Sequence, residues 1–125
     1  MKKILIAEDD KFLANAYRLK LSKLGFDVRL ATDGQEALNI LKDFIPDLMI
    51  LDLVMPNKDG FAVLEEVKSR PDTKSVPVII ASNLGQKEDI DRGLKLGAAD
   101  YIVKADVAIS EIVDKINAVL GAPKK

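Results

Sequence analysis

The sequence contains no cysteine and no histidine. Without cysteine, the chain can form neither a disulfide framework nor a thiolate metal site. Without histidine, it lacks the commonest general base of enzymes and has no imidazole on which to carry a phosphoryl group. Polar chemistry in this protein must therefore come from carboxylates, hydroxyls and amines.

The sequence also lacks a charge excess and a long apolar run. Lysine and arginine number 19 against 20 aspartates and glutamates, so no overall field favours nucleic acid or an anionic membrane surface. The apolar run 4–7 that follows the basic start is shorter than a secretory signal requires, and no stretch approaches the roughly 18 apolar residues of a membrane span. We expect a cytoplasmic protein with neither a nucleic-acid nor a membrane partner.

The length of the chain predicts one domain. Its 125 residues fall within the range of about 100 to 150 residues that single domains most often have. With 48% hydrophobic and 31% charged residues, the composition is typical of a globular protein with a packed core. We expect a domain over 1–121, a short frayed tail over 122–125, and no fused receptor or output domain.

Short apolar runs alternate with amphipathic segments along the chain. The runs predict strands at 4–7, 26–30, 48–51, 78–81 and 101–103. Helical spacing predicts a helix over 11–24, one that begins at Asp33 and ends before Pro46, one marked by Phe61, Leu64 and Val67, one over 86–96, and a closing helix over 112–120. Five such units imply a parallel sheet covered on both faces, with right-handed crossovers.

The fourth predicted helix is weakly specified. Ile90 and Leu94 form only a sparse apolar stripe. Gly93 lies inside this stripe, where glycine costs about 1 kcal/mol relative to alanine. This segment is therefore a candidate for a helix that moves at low cost.

Polar residues follow four of the predicted strands, at the sheet edge where α/β proteins form their sites. Each has an ordinary structural explanation. Acids after a strand often cap the next helix, which is what we expect of Asp10. Serine and asparagine form turns, a lysine at a strand end is usually solvated, and a tyrosine in a strand is usually half-buried. The residues concerned are Glu8, Asp9 and Asp10, Asp52, Ser82 and Asn83, Tyr101 and Lys104.

In combination these residues predict a phosphoryl-binding site. Two carboxylates about 5 Å apart repel by roughly 3 kcal/mol at an effective dielectric near 20. A retained proton or a divalent cation must offset this repulsion, and with oxygen ligands alone the hard ion Mg²⁺ is favoured. A metal-bound carboxylate beside an ammonium and a hydroxyl matches the charge of a transferring phosphoryl group, with Asp52 as its acceptor.

Four segments resemble the receiver domain of bacterial two-component response regulators: KKILIAEDD, DLMILDLVMPNKDG, VPVIIAS and GAADYIVK. The resemblance covers essentially the whole chain. It implies a flavodoxin-like (βα)5 sandwich whose five-stranded parallel sheet has the order 2-1-3-4-5. It also implies a stand-alone phosphoprotein that is not a classical enzyme and catalyses only its own phosphorylation and dephosphorylation.

The resemblance assigns the acceptor and the metal ligands. Asp52 is similar to the phosphorylated aspartate of the family. Asp9, Asp52 and the backbone carbonyl of Val54 would hold Mg²⁺, while Glu8 would act on the ion through water. Met55 and Pro56 resemble the start of the loop that follows the acceptor strand.

The resemblance also assigns the switch and the partners. Ser82 is similar to the switch hydroxyl, Lys104 to the ammonium that pairs with the phosphoryl group, and Tyr101 to the aromatic residue that turns inward when Ser82 moves. The implied donor is a histidine kinase or a His-phosphotransfer protein. The implied readout is a downstream protein that binds helix four, strand five and helix five, with the chain a monomer or a phosphorylation-dependent dimer.

Two departures from the family pattern leave an alternative open. Ala105 stands where the family has a cis proline, and a non-proline cis bond costs about 2.5 to 4 kcal/mol, which favours a trans peptide and a reshaped turn after Lys104. Asn83 is larger than the residue usual after the switch hydroxyl and restricts access to Asp52. Both are compatible with a pseudo-receiver that binds partners without phosphorylation. A phosphatase of the haloacid dehalogenase kind is disfavoured because it would need an aspartate where Val54 stands.

Overall fold

The computed structural model describes residues 2–55 and 59–120, which form alternating strands and helices around one sheet. The strands are β1 (Lys3–Ala7), β2 (Asp27–Ala31), β3 (Leu48–Leu51), β4 (Val78–Ser82) and β5 (Asp100–Val103). The helices are α1 (Lys11–Lys23), α2 (Gly34–Ile40), α3 (Gly60–Ser69), α4 (Lys87–Lys95) and α5 (Ile109–Leu120). Pro56 and the predicted tail 122–125 lie outside the described residues. Among those that are described, no helix is long and apolar enough to cross a membrane.

The five strands are parallel and follow the order β2-β1-β3-β4-β5, as predicted. Ala7, the last residue of β1, pairs with Leu51, the last residue of β3. Ser82, the last residue of β4, pairs with Val103 at the end of β5. The residues that follow these four strands therefore emerge at one edge of the sheet.

Each face of the sheet packs against its own helices. On one face, β-strand residues such as Leu5, Met49 and Ile80 pack with α2 and α3. On the other face, residues such as Ile6 and Ile102 pack with α1 and α5. All residues of β3 and β4 are buried, as expected for central strands that are covered on both sides.

The first helix has the predicted ends. Asp10 Oδ1 accepts hydrogen bonds from the backbone N–H groups of Phe12 and Leu13, so this residue caps α1 as expected. Gly25 follows the helix with a φ of +95°, a left-handed conformation that glycine adopts without steric cost. These two residues therefore mark the beginning and the end of α1.

The second helix is shorter than predicted, because it ends at Ile40 rather than just before Pro46. The next residues form turns, in which the N–H of Lys42 bonds to the carbonyl of Asn39 and the N–H of Phe44 to that of Ile40. The backbone thus tightens into turns directly after Ile40, before the extended bias that Pro46 imposes on Ile45 takes effect. Phe44 still reaches the core, where it is 5% exposed.

The fourth helix agrees closely with its predicted bounds and shows why it contains a glycine. A Cβ atom at Gly93 would lie 2.5 Å from Ile80 Cδ1 and 3.3 Å from Tyr101 Cδ2. Gly93 is also the only residue of α4 that is buried. The glycine thus allows the helix to lie close against β4 and β5, which offsets its low helix propensity.

Candidate functional site

The residues after β1, β3, β4 and β5 line a single open cavity of about 360 Å³. The sequence predicted six of its lining residues as parts of the site: Glu8, Asp9, Asp52, Val54, Ser82 and Lys104. The register explains this convergence, because Glu8 and Asp52 each follow one member of the Ala7–Leu51 pair. Asn83 and Leu84 form the wall towards α4.

Three carboxylates meet at the base of the cavity. Oxygen atoms of Glu8, Asp9 and Asp52 lie within 4.8 Å of one another, close to the roughly 4 Å that spans an octahedral Mg²⁺ ion. Glu8 and Asp52 are buried, whereas Asp9 is exposed to solvent. Hard oxygen ligands that converge without nitrogen or sulfur fit Mg²⁺ or a similar ion.

Lys104 joins two of these carboxylates. Its Nζ donates to Glu8 Oε1 at 2.7 Å and to Asp52 Oδ2 at 3.1 Å. Burial lowers the pKa of Lys104, but the hydrogen bond to Glu8 and the charge of Asp52 outweigh burial, so the pKa is raised. The sequence predicted a proton or a divalent cation as the compensating charge, but the ammonium of Lys104 already supplies part of it.

The turn after Lys104 contains no proline and still brings the ammonium to the acidic cluster. Every peptide bond among the described residues is trans, which includes the bond to Ala105. A short 3-10 helix, Lys104–Asp106, leads from β5 towards α5. Lys104 still reaches both carboxylates from this turn.

Both carboxylate oxygens of Glu8 have partners within the protein. Oε1 accepts from Lys104, and Oε2 accepts from the backbone N–H of Asp10 at 3.1 Å. Burial raises the pKa of Glu8, the bonds to Lys104 and Asp10 oppose that shift, and the charge of Asp52 adds to it. This arrangement suits a residue that acts on a bound ion through water, as the resemblance implies for Glu8.

The turn after β3 holds the acceptor carboxylate. Asp52 Oδ1 accepts from the backbone N–H of Val54 at 3.2 Å, while the Val54 side chain is 59% exposed at the mouth of the cavity. The N–H of Gly60 bonds to the carbonyl of Leu53 at 2.9 Å. A Cβ at Gly60 would lie only 2.3 Å from the carbonyl oxygen of Asp52, so α3 can begin this close to the acceptor only with glycine.

Ser82 and Tyr101 both bond to the backbone of Leu84, in the loop before α4. Ser82 is fully buried, and its Oγ accepts from the N–H of Leu84 at 3.2 Å. The Tyr101 hydroxyl donates to the carbonyl of Leu84. Burial and the charge of Asp89 raise the pKa of Tyr101, while a hydrogen bond with Ser82 opposes this. The role of Leu84 resides in its backbone, so no side-chain pattern in the sequence could have revealed it.

Tyr17 is a second residue near the site that the sequence does not single out. It is 2% exposed on α1. Burial raises the pKa of Tyr17 to about 12, and the charges of Lys104, Glu8 and Asp52 also act on its hydroxyl. An aromatic residue at helical spacing indicates a core position, and only the fold places this one near the charged site.

Comparisons with known proteins give one consistent family. A family model described as the response regulator receiver domain matches residues 4–117. The chain is 39% identical over 124 residues to the probable transcriptional regulator ycf27 of Guillardia theta, a match that covers 99% of this chain and 47% of that protein. The chain spans about half the length of the curated relatives it matches.

Solved structures agree with the family model. The receiver domain of the Francisella response regulator 1452 has a TM-score of 0.89 and 33% identity, over 99% of this chain and 100% of that one. The Mn²⁺-bound form of response regulator Rcp1 has a TM-score of 0.86 and 26% identity, over 99% of this chain and 98% of that one.

Proposed function

Because the chain belongs to the response regulator receiver domain family of two-component signalling, we propose that Asp52 accepts a phosphoryl group from a phosphohistidine. The donor is a histidine kinase or a His-phosphotransfer protein. A carboxylate oxygen of Asp52 forms the new P–O bond while the P–N bond to the donor imidazole breaks, and the imidazole leaves with the bonding electron pair.

The observation that carries this proposal is the position of Lys104 between Glu8 and Asp52. Its Nζ lies 3.1 Å from the acceptor oxygen Oδ2, so an ammonium is in place for the charge on the transferring phosphoryl oxygens. The ammonium is already in this position before a phosphoryl group arrives. Phosphotransfer needs a cation beside the acceptor, and this position of Lys104 favours it over a pseudo-receiver.

Mg²⁺ would be held by Asp9, Asp52 and the carbonyl of Val54, with Glu8 acting through water. When bound, the ion would neutralise charge on the phosphoryl group and on the acidic cluster. The fit is supported by the convergence of the three carboxylates within 4.8 Å. Lys104 shares part of this task, since it contacts two of the three acids.

We propose that phosphorylation changes the loop before α4. Ser82 would exchange its bond with the Leu84 amide for one to the phosphoryl group, and Tyr101 would follow the loop. The face formed by α4, β5 and α5 would then bind a downstream protein. The receiver itself would act as a monomer or as a phosphorylation-dependent dimer. The proposal is supported by the two hydrogen bonds that tie Ser82 and Tyr101 to the same residue.

Protein partners, rather than nucleic acid or membranes, are proposed for this chain because its charges balance. The ycf27 protein is named as a transcriptional regulator, and this chain covers 47% of it. A cytoplasmic location stays a prediction from the sequence.

The proposed function is tested by incubating the protein with Mg²⁺ and acetyl phosphate and measuring its intact mass. We expect a gain of one phosphoryl group, about 80 Da, that requires Mg²⁺. Asp52→Asn should abolish the gain. Asp10→Asn is the matched control: it removes a neighbouring carboxylate while an asparagine can still cap α1, so phosphorylation should persist.

Absence of a mass gain in the wild-type protein, even with excess donor, would contradict the proposal and favour the pseudo-receiver. Asn83 and Ala105 would then be the residues to replace. A gain that survives in Asp52→Asn would place the acceptor elsewhere.

A further inference from the structure

The fourth helix is held on the molecule by few contacts with the sheet. Gly93 is its only buried residue, and Leu94 is 44% exposed. Its N-cap residue, Gln86, makes no side-chain capping hydrogen bond. The position of α4 must therefore depend on contacts other than a buried apolar stripe.

One such contact joins α4 to the start of α3. The guanidinium carbon of Arg92 lies 4.0 Å from the ring centroid of Phe61, well within the distance of a cation–π interaction. Phe61 is 8% exposed and follows Gly60, which abuts the backbone of Asp52. Arg92 thus stacks on a ring whose own position is fixed by the acceptor turn.

A second contact lies two helical turns further along α3. The stem of Lys68 packs under Gly97, where a Cβ would lie 3.3 to 3.4 Å from three of its carbon atoms. Its Nζ donates to the carbonyls of Val76 at 2.8 Å and Lys74 at 3.2 Å. Gly97 has a φ of +109°. The chain that leaves α4 is therefore fixed against α3 at a tightly packed turn.

We propose that Arg92 and Phe61 form a releasable latch that holds α4 on α3, and that the Lys68–Gly97 contact is the pivot about which α4 moves. The latched placement is the one in which the Tyr101 ring lies beside Gly93 and its hydroxyl bonds to Leu84. Arg92 therefore controls, from outside the cavity, how much of the protein keeps Tyr101 bonded to Leu84 in this placement. The consequence for Asp52 rests on the proposed function, whereas the latch itself does not.

The latch is tested by amide hydrogen exchange of α4 in the protein without phosphodonor. An exposed cation–π contact changes an opening equilibrium by about two- to fivefold, so Arg92→Ala should speed exchange of α4 by that factor. Lys95→Ala is the matched control, because it also removes one cation from α4 but has no aromatic contact among the described residues. Equal exchange in the two variants would overturn the latch.

A double-mutant cycle separates the contact from the loss of either side chain alone. Phe61→Leu keeps an apolar residue in the core, and Arg92→Ala added to it should produce little further increase in α4 exchange. Additive effects of the two substitutions would show that the residues act independently and would refute the latch.

The link to the site is tested with beryllofluoride, a phosphoryl mimic, titrated in the presence of Mg²⁺ and followed by ¹⁹F NMR. Arg92→Ala should bind it about two- to fivefold more tightly than the wild type, because the loop that holds Ser82 and Tyr101 on Leu84 is released more often. Unchanged or weaker binding would overturn the link. If the wild-type protein itself binds no beryllofluoride, the proposed function fails, and the exchange measurements still decide the latch.

Discussion

The helices α3 and α4 flank the site and have nearly the same length, but they are attached to the protein differently. α3 buries Gly60, Phe61, Val63, Leu64 and Val67, whereas α4 buries only Gly93. Asp59 caps α3 by accepting from the N–H of Ala62, and no side chain caps α4 at Gln86. The difference shows how one small domain can keep its acceptor fixed while leaving a neighbouring surface free to move.

Fixed attachment serves the chemistry at Asp52. α3 begins so close to the acceptor turn that only glycine fits at its first position. A displaced acceptor would lose its geometry with Lys104, and catalysis tolerates little misplacement. Weak attachment serves the signal, because a helix with one buried residue can shift without breaking a core.

Leucine truncation should give the largest contrast between the two helices. Leu64 of α3 is fully buried, so Leu64→Ala should destabilise the protein by about 2 to 5 kcal/mol. Leu94 of α4 is 44% exposed, so Leu94→Ala should change stability by no more than about 0.5 kcal/mol. Urea denaturation measures both, and comparable losses would remove the basis of the comparison.

Alanine at the two closely packed glycines should give the next largest contrast. At Gly60 the added Cβ meets backbone, 2.3 Å from the Asp52 carbonyl oxygen, and we expect a loss of about 3 kcal/mol. At Gly93 it meets the movable end of Ile80, and the higher helix propensity of alanine offsets the overlap, leaving about 1 kcal/mol or less. A larger loss at Gly93 in thermal or urea unfolding would show that α4 is the more rigidly seated helix.

Removal of a lysine charge from each helix should give a smaller difference. Lys68→Met on α3 keeps an apolar stem under Gly97 but removes the donor to two carbonyls. We expect it to lower the free energy of unfolding by about 1 to 2 kcal/mol. Lys87→Met on α4 removes an exposed pair with Asp91 and should leave stability almost unchanged. Equal unfolding midpoints for the two variants would count against a stabilising role for the two carbonyl bonds of Lys68.

The pKa values of the same two lysines should be shifted in opposite directions. Burial lowers the pKa of Lys68 below 10.5, and the hydrogen bond to Asp91 raises the pKa of Lys87 above 10.5. Below 10.5 and above its lowered pKa, native Lys68 binds fewer protons than the unfolded chain, so its contribution to stability rises with pH in that window. The contribution of Lys87 is present below 10.5 and is lost as pH rises through its raised pKa. An NMR titration of the side-chain Cε signals measures both values, and the reverse order would contradict the burial assigned to Lys68.

The sequence predicted the strands well because their apolar runs are short, continuous and separated by clear turns. It predicted the N-cap of α1 because Asp10 bonds to the backbone N–H groups two and three residues ahead of it. The early end of α2 was not predictable, since Leu41 and Phe44 keep helical spacing although they reach the core from turns. Local pattern cannot distinguish these two geometries.

The sequence predicted which residues form the site better than it predicted the contacts between them. Strand ends of a parallel sheet must converge, so Glu8, Asp52 and Lys104 could be grouped without coordinates. The hydrogen bonds of Lys104 to both acids could not be predicted, because they depend on how far the side chain reaches across the cavity. The stacking of Arg92 on Phe61 left no sequence signal either, since it joins two helices that are distant along the chain.

The most direct test compares amide hydrogen exchange of α3 and α4 with and without beryllofluoride, in the presence of Mg²⁺. We expect exchange to change in α4 and in the loop 83–86 before it, while the amides of α3 stay protected to the same extent. Changes of similar size in both helices, or changes confined to α3, would contradict the division between a fixed acceptor side and a movable signalling side.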